Sequence, residues 1–154
     1  MEQNSLMNKV FHFIFFIFIA TSCSTKVPKQ AVVEKCLNYE PEKIQLTGLL
    51  YSKSFPGPPN YEDIRKGDKE EIYWLIKTTK DFCVNATKDN WAGKLLNQSE
   101  VQLVIMGAVF DLYETKKSLL GKSVTIKGTL FPQMSGHHKT SVLITVESLE
   151  KANE

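Results

Sequence analysis

Five stretches of alternating apolar and polar residues, divided three to two by one helix-like stretch, constrain the fold of this chain most. Ile44 to Tyr51 alternates around Gly48, and a glycine inside a strand marks a bend or bulge. Glu71 to Thr79 sets Ile72, Trp74 and Ile76 on one face and Tyr73 and Leu75 on the other, so both faces should be covered. Val101 to Met106 reads as a third strand. Ala108 to Leu120 then places Val109, Leu112, Tyr113 and Leu119 or Leu120 near helical spacing, and Gly121 suits a helix stop. Two more strands follow. Ser123 to Phe131 sets Val124, Ile126 and Leu130 against Thr125, Lys127 and Thr129, with Gly128 at a second bend. Ser141 to Ser148 sets Val142, Ile144 and Val146 against Thr145 and Glu147.

Three strands, a helix and two strands predict a mainly β fold, a small five-stranded OB-like barrel with one helix between strands three and four. Glycines within strands suit the sharp coiling of a small closed barrel. In that architecture the ligand face comes from strands two and three, which makes Trp74 a candidate contact. The loops joining strands one to two and four to five flank that face. Those loops carry the least generic residues: Ser54 to Asp63 with Lys66-Gly67-Asp68, and Pro132 to Thr140 with Gly136-His137-His138.

The amino terminus has a different composition. Lys9 precedes an apolar run, Val10 to Ala20, which Ala20-Thr21-Ser22 closes just before Cys23. Basic residue, apolar core and small residues are the layout of an export signal, and the run is about half of the roughly 20 residues needed to span a bilayer. A cysteine directly after the small residues suits a bacterial lipoprotein, in which Cys23 is acylated after cleavage. The other reading of the same leader is plain secretion. We therefore expect a signal peptide over residues 1–22, a polar tether over 23–35 and one domain over 36–154. The partner at the amino end is then the membrane, reached through the lipid. Ser24, where an inner-membrane protein usually has aspartate, favours the periplasmic face of the outer membrane in a host with two membranes.

Export also bears on the remaining cysteines. In an oxidising compartment an even number of thiols usually pairs. Cys36 lies before the first predicted strand and Cys83 after the second, and those ends meet in an antiparallel pair. A Cys36–Cys83 disulfide is expected, worth about 4 kcal/mol in the chain-entropy model. Nucleic acid is not an expected partner. Lysine plus arginine count 19 against 17 acidic residues, and the signs are interspersed, so no basic footprint forms.

Phe55-Pro56-Gly57-Pro58-Pro59-Asn60-Tyr61, Gly67-Asp68, the Gly121 to Phe131 strand and Gly136-His137-His138-Lys139-Thr140 together resemble a family of small exported bacterial proteins. That family is catalogued only as a domain of unknown function, so the resemblance implies an exported domain and supplies no established activity. Lys139 stands where its members often carry a third histidine.

The prolines rigidify the first loop, and Phe55 and Tyr61 are its candidate aromatic anchors. Adjacent His137 and His138 point to opposite sides of an extended chain and cannot readily share one metal ion, so no metal and no cofactor are expected. No nucleophile elbow, phosphate loop or zinc-protease helix is present in the sequence. The leading expectation is a membrane-tethered envelope binding module, possessing a protein or a small envelope ligand as partner and acting in its sharper form as an inhibitor or immunity-type protein. Phe55, Tyr61, Trp74, His137 and His138 are its candidate contacts. The alternative is a hydrolytic enzyme using His137 or His138 with an acidic residue of the 55–68 loop.

Overall fold

Residues 35–153 are described by the computed structural model; the leader, Cys23 and most of the tether lie outside the described residues. Strands β1 (Lys43–Pro56), β2 (Glu70–Val84), β3 (Leu95–Val104), β4 (Ser123–Pro132) and β5 (Val142–Lys151) close into a barrel in the order β1-β2-β3-β5-β4. The β3–β5 pair is parallel and the other four are antiparallel. This is the OB strand order, and the alternation dictates its inside. Ile44, Leu46, Leu50, Trp74, Ile76, Val101, Leu103, Val124, Ile126, Leu130, Ile144 and Val146 all join the buried core.

Both strand glycines sit where strands crowd. A Cβ on Gly48 would lie 2.1 Å from the Lys77 carbonyl oxygen, and one on Gly128 would lie 2.0 Å from that of Thr145. Opposite Gly128 the register slips by one residue, because Lys127 faces Ser148 while Gly128 faces Val146. Glu147 is thus the extra residue of a bulge that tightens the coil.

The strand bounds differ from expectation. Strand β1 runs on to Pro56 and β2 to Val84, so Phe55 and Cys83 belong to strands and not to the segments beyond them. Strand β3 begins at Leu95 and stops at Val104. The one helix expected between strands three and four is present but short: within 108–120 only α1 (Leu112–Thr115) is α-helical, flanked by 3-10 turns at Gly107–Val109 and Lys117–Leu119. No side chain caps any of the three, and the Thr115 hydroxyl donates back to the Asp111 carbonyl, competing with the helical ladder. So short a helix depends on packing. Leu112 is buried, and Val109, Tyr113, Leu119 and Leu120 pack against the core. Gly121 ends the segment in the left-handed region at φ 79°.

The cysteines are joined, Cys36 to Cys83, with Cα atoms 4.6 Å apart. The approach differs from two antiparallel strand ends. Leu37 forms a parallel bridge with Val84, donating to the Cys83 carbonyl and accepting from Asn85 N–H, each at 2.8 Å. The chain then turns through 38–42 before β1 begins.

One row of outward-facing residues positions the site. Tyr51, Leu75, Gln102, Leu143 and Phe131 are successive cross-strand partners around the barrel. Leu75 and Leu143 are as buried as the inner core, and Gln102 is only 3 % exposed. Gln102 shows what covers them. Its side-chain amide donates to the His137 carbonyl (3.1 Å), its Oε1 accepts from Lys139 N–H (2.6 Å), and its own N–H reaches Thr140 Oγ1 (2.9 Å). The β4–β5 loop is thus fastened across the outer face of the sheet beside β2 and β3.

Candidate functional site

The β1–β2 loop is organised by a carboxylate. Asp68, 5 % exposed, accepts from the backbone N–H of Asn60, Glu62 and Asp63 at 2.8–2.9 Å, and from the Asn60 side chain at 3.2 Å. Those backbone donors hold it below the ordinary aspartate range against the opposing effect of burial. Within the loop, Asp63 caps the 3-10 turn Ile64–Lys66 and pairs with Arg65, and Gly67 at φ 104° lets the chain turn back. Tyr61, at φ 60°, lies in the left-handed region.

An Asp68→Ala variant tests this hub. It should lose hydrogen-exchange protection at the amides of Asn60, Glu62 and Asp63 while the barrel strands keep theirs. The pH dependence has a defined sign, because a depressed folded pKa stabilises the loop fully above the unfolded value of about 3.9. That contribution is lost as the pH falls from there through the lower folded value. Unchanged protection in the variant would refute the role.

The two motif loops meet around His137. The Tyr61 hydroxyl lies 3.2 Å from Nε2, the Tyr73 hydroxyl 3.2 Å from Nδ1, and Glu71 Oε2 3.4 Å from Nδ1. Tyr73 O–H donates to Glu71 Oε2 at 2.6 Å. One proton arrangement satisfies the set: Tyr61 donates to Nε2, Nδ1–H donates to the Tyr73 oxygen, and Tyr73 donates to Glu71. Glu71 is held below the ordinary glutamate range by the Tyr73 hydroxyl first, then by His137 and Lys139, with burial opposing. Tyr73 is pushed well above the phenol range by burial and by the Glu71 bond.

Ring contacts reinforce the junction. Tyr61 and His137 meet edge to face at 5.4 Å, and Phe55 meets Tyr73 at 6.0 Å. The Lys139 ammonium lies 5.8 Å from the Phe55 ring centroid, 5.1 Å from that of Tyr61 and 5.7 Å from that of Tyr73. It also donates to the Gly136 carbonyl at 2.7 Å and the Pro56 carbonyl at 3.3 Å. Lysine therefore joins the two loops as a cation among aromatic rings.

The candidates separate accordingly. Phe55, Tyr61 and His137 come together, and His137 keeps 55 % of its side chain exposed. His138 faces elsewhere: its ring packs edge to face on Phe131 at 5.4 Å, and its Nδ1 accepts from Met134 N–H at 2.8 Å. Burial, then the neighbouring His137, lowers its pKa, consistent with a neutral acceptor fixing the loop. Trp74 is a core residue and not a surface contact, being 6 % exposed and packed on Tyr113 at 5.2 Å. Trp74 and Ile76 are alternate residues on the inward face of the middle of β2, so Trp74 follows Ile76 into the barrel.

The acid nearest His137 is Glu71 of β2, whereas in the 55–68 loop Asp68 is committed to backbone donors and Asp63 to Arg65. Among the described residues, no three His, Cys, Asp or Glu side chains are grouped to hold a metal ion. The sequence reading missed Glu71, Tyr73, Lys139 and Gln102. For Glu71 and Tyr73 the signal was available, since alternation places both on the outward face of β2 beside the first loop. For Gln102 it was a lone amide within an apolar run from Val101 to Ile105.

Fold and site define a small closed β-barrel whose two crossing loops build one aromatic, histidine- and lysine-bearing surface. Residues 100–150 match the model of a family described as a domain of unknown function (DUF4431). The matched stretch carries the second half of β3, all of β4, nearly all of β5 and the His137 loop. No curated protein matches the chain.

Proposed function

We propose that the protein is a membrane-tethered envelope binding module whose contact surface is the joined face of the two loops. The observation that carries this reading is the clamp of His137 by Tyr61, Tyr73 and Glu71, with Lys139 among the rings. Binding energy concentrates on rigid aromatic anchors, and a surface preorganised by such bonds loses little entropy when a partner docks. The partner is a protein or a small envelope ligand, and blocking an envelope enzyme as an inhibitor or immunity-type protein is the sharper form. Cys23 supplies the lipid in this proposal.

A specific observation favours a second reading. Glu71 on one ring nitrogen of His137 and the Tyr61 hydroxyl on the other form a carboxylate–imidazole–hydroxyl series that suits a hydrolytic enzyme.

One experiment separates these. The full-length chain and its Cys23→Ser, Tyr61→Ala and His137→Ala variants are recovered from envelopes of the native host with whatever they hold. Cys23→Ser should leave the membrane and lose fatty-acid labelling. Tyr61→Ala and His137→Ala should weaken a stoichiometric partner by more than about 1 kcal/mol each with little change in melting temperature. Loss of turnover at His137 with substrate binding retained selects the enzyme. Membrane retention without Cys23 removes the tether from the proposal, and partner binding indifferent to both loop variants removes the site.

A further inference from the structure

A second recess lies away from the His137 junction. It is an open cleft of about 750 Å³ between the 38–42 segment, the loop after β2 and the end of β4. That volume lies within the range of small-molecule sites. Its walls are fixed. The 38–42 wall is pinned by the Cys36–Cys83 bond, the Leu37–Val84 bridge and the Glu40 N–H bond to the Leu130 carbonyl (2.8 Å). The other loop is closed by Thr87, which donates its backbone N–H to the Ala92 carbonyl at 2.9 Å and accepts Ala92 N–H on its hydroxyl at 3.1 Å.

The lining is apolar with an acidic rim. Trp91 is 55 % exposed there and Met134 62 %, above the nearly buried Phe131. Glu40, Glu42 and Asp89 face a single cation, Lys88, although the whole chain carries a net charge of +2. None of the three carboxylates has a salt bridge among the described residues; Glu42 accepts only from the Asn38 amide, at 2.5 Å. Tyr39 lines this cleft and the adjoining smaller groove with its ring, is 7 % exposed, and its buried hydroxyl has no hydrogen-bond partner among the described residues. Buried polar groups seldom remain unsatisfied.

We propose that this cleft binds a small organic cation with an apolar body. The carboxylates of Glu40, Glu42 and Asp89 supply the countercharge, the Trp91 ring supplies a face for the cation, and Phe131 and Met134 take the apolar part. An anion would meet uncompensated carboxylates, and a neutral ligand would forgo both the charge and the ring.

The test uses benzyltrimethylammonium on the oxidised chain, with benzyl alcohol and phenylacetate as neutral and anionic controls. Binding is followed by tryptophan fluorescence and by calorimetry. Trp91 is exposed and Trp74 buried, so a fluorescence response that disappears in Trp91→Phe belongs to the cleft. The ammonium should bind saturably, more tightly than benzyl alcohol by about tenfold, and phenylacetate should not bind. A Glu40→Gln/Asp89→Asn double variant should weaken the ammonium by about threefold to tenfold, and Tyr61→Ala should leave it unchanged. The proposal is overturned by absent saturation, by equal affinity for benzyl alcohol or phenylacetate, or by a double variant that binds unchanged. Loss of binding in Tyr61→Ala also overturns it, because the cation would then occupy the loop junction.

Discussion

Gly48→Ala should destabilise the barrel by more than about 3 kcal/mol, at or beyond the upper end of ordinary overpacking. Gly48 is hydrogen-bond partner to two strands at once, facing Thr78 on β2 and Val124 on β4. Its missing Cβ is what allows the approach. A methyl there would stand 2.1 Å from the Lys77 carbonyl oxygen, 2.7 Å from its carbon and 2.8 Å from Thr78 Cα. All three are backbone atoms, so no rotamer change relieves the clash, and β1 must separate from β2. Gly93→Ala is the matched control, because nothing lies within 4 Å of its added Cβ and its φ is ordinary. That change should stay within about 0.5 kcal/mol. Urea unfolding of both variants decides the matter, and a Gly48→Ala cost below about 1 kcal/mol would show that the strands can part freely.

The second large effect belongs to the disulfide. Replacing Cys36 and Cys83 together by serine should cost about 4 kcal/mol, within the 2–5 kcal/mol usual for small exported domains. The bond spans a sequence separation of 47, so the reduced unfolded chain recovers much loop entropy. A folded-state loss adds to this. Without the bond the Leu37–Val84 bridge, its neighbouring Asn85 contacts, the Glu40 bond to Leu130 and the packing of Tyr39 and Leu37 on the core still hold the 36–42 segment. The wild-type and double-serine chains are compared by denaturant unfolding, with exchange protection at Leu37 and Glu40 as the local readout. A loss under about 1 kcal/mol with both amides still protected would show that the segment holds itself.

Alternation made the barrel legible, because a strand buried on one face must repeat every two residues. Ile44-Leu46, Val124-Ile126 and Val142-Ile144 could be assigned inward from the chain alone, and all are buried. Gly48 and Gly128 were readable as bends because glycine is disfavoured in strand interiors without a close approach to justify it. Helical spacing was less reliable between β3 and β4. Val109, Leu112, Tyr113 and Leu119 do pack on the core, but as three short turns, since apolar spacing specifies a face and not hydrogen bonding.

The candidate site divides in the same way. Motif density in two loops drew attention to Phe55, Tyr61 and His137, whereas their meeting depended on residues whose local pattern gives a face but no partner. Gln102 is an ordinary polar residue until β3 and β5 pair in parallel and bring its amide under the 133–141 loop. Glu71 and Tyr73 become partners of His137 only because that loop crosses the sheet to reach β2.

Strand identity, the inward face, the glycine bends and the Cys36–Cys83 pairing were determined by the sequence itself, since each follows from neighbours in the chain or from a pairing that few residues can make. Tertiary structure alone decided that Trp74 fills the core, that His138 braces its loop, and that Lys139 rather than a second histidine completes the junction with Tyr61. The physical reason is range: alternation and backbone sterics act over a few residues, whereas the packing of one loop on another depends on how the whole barrel closes.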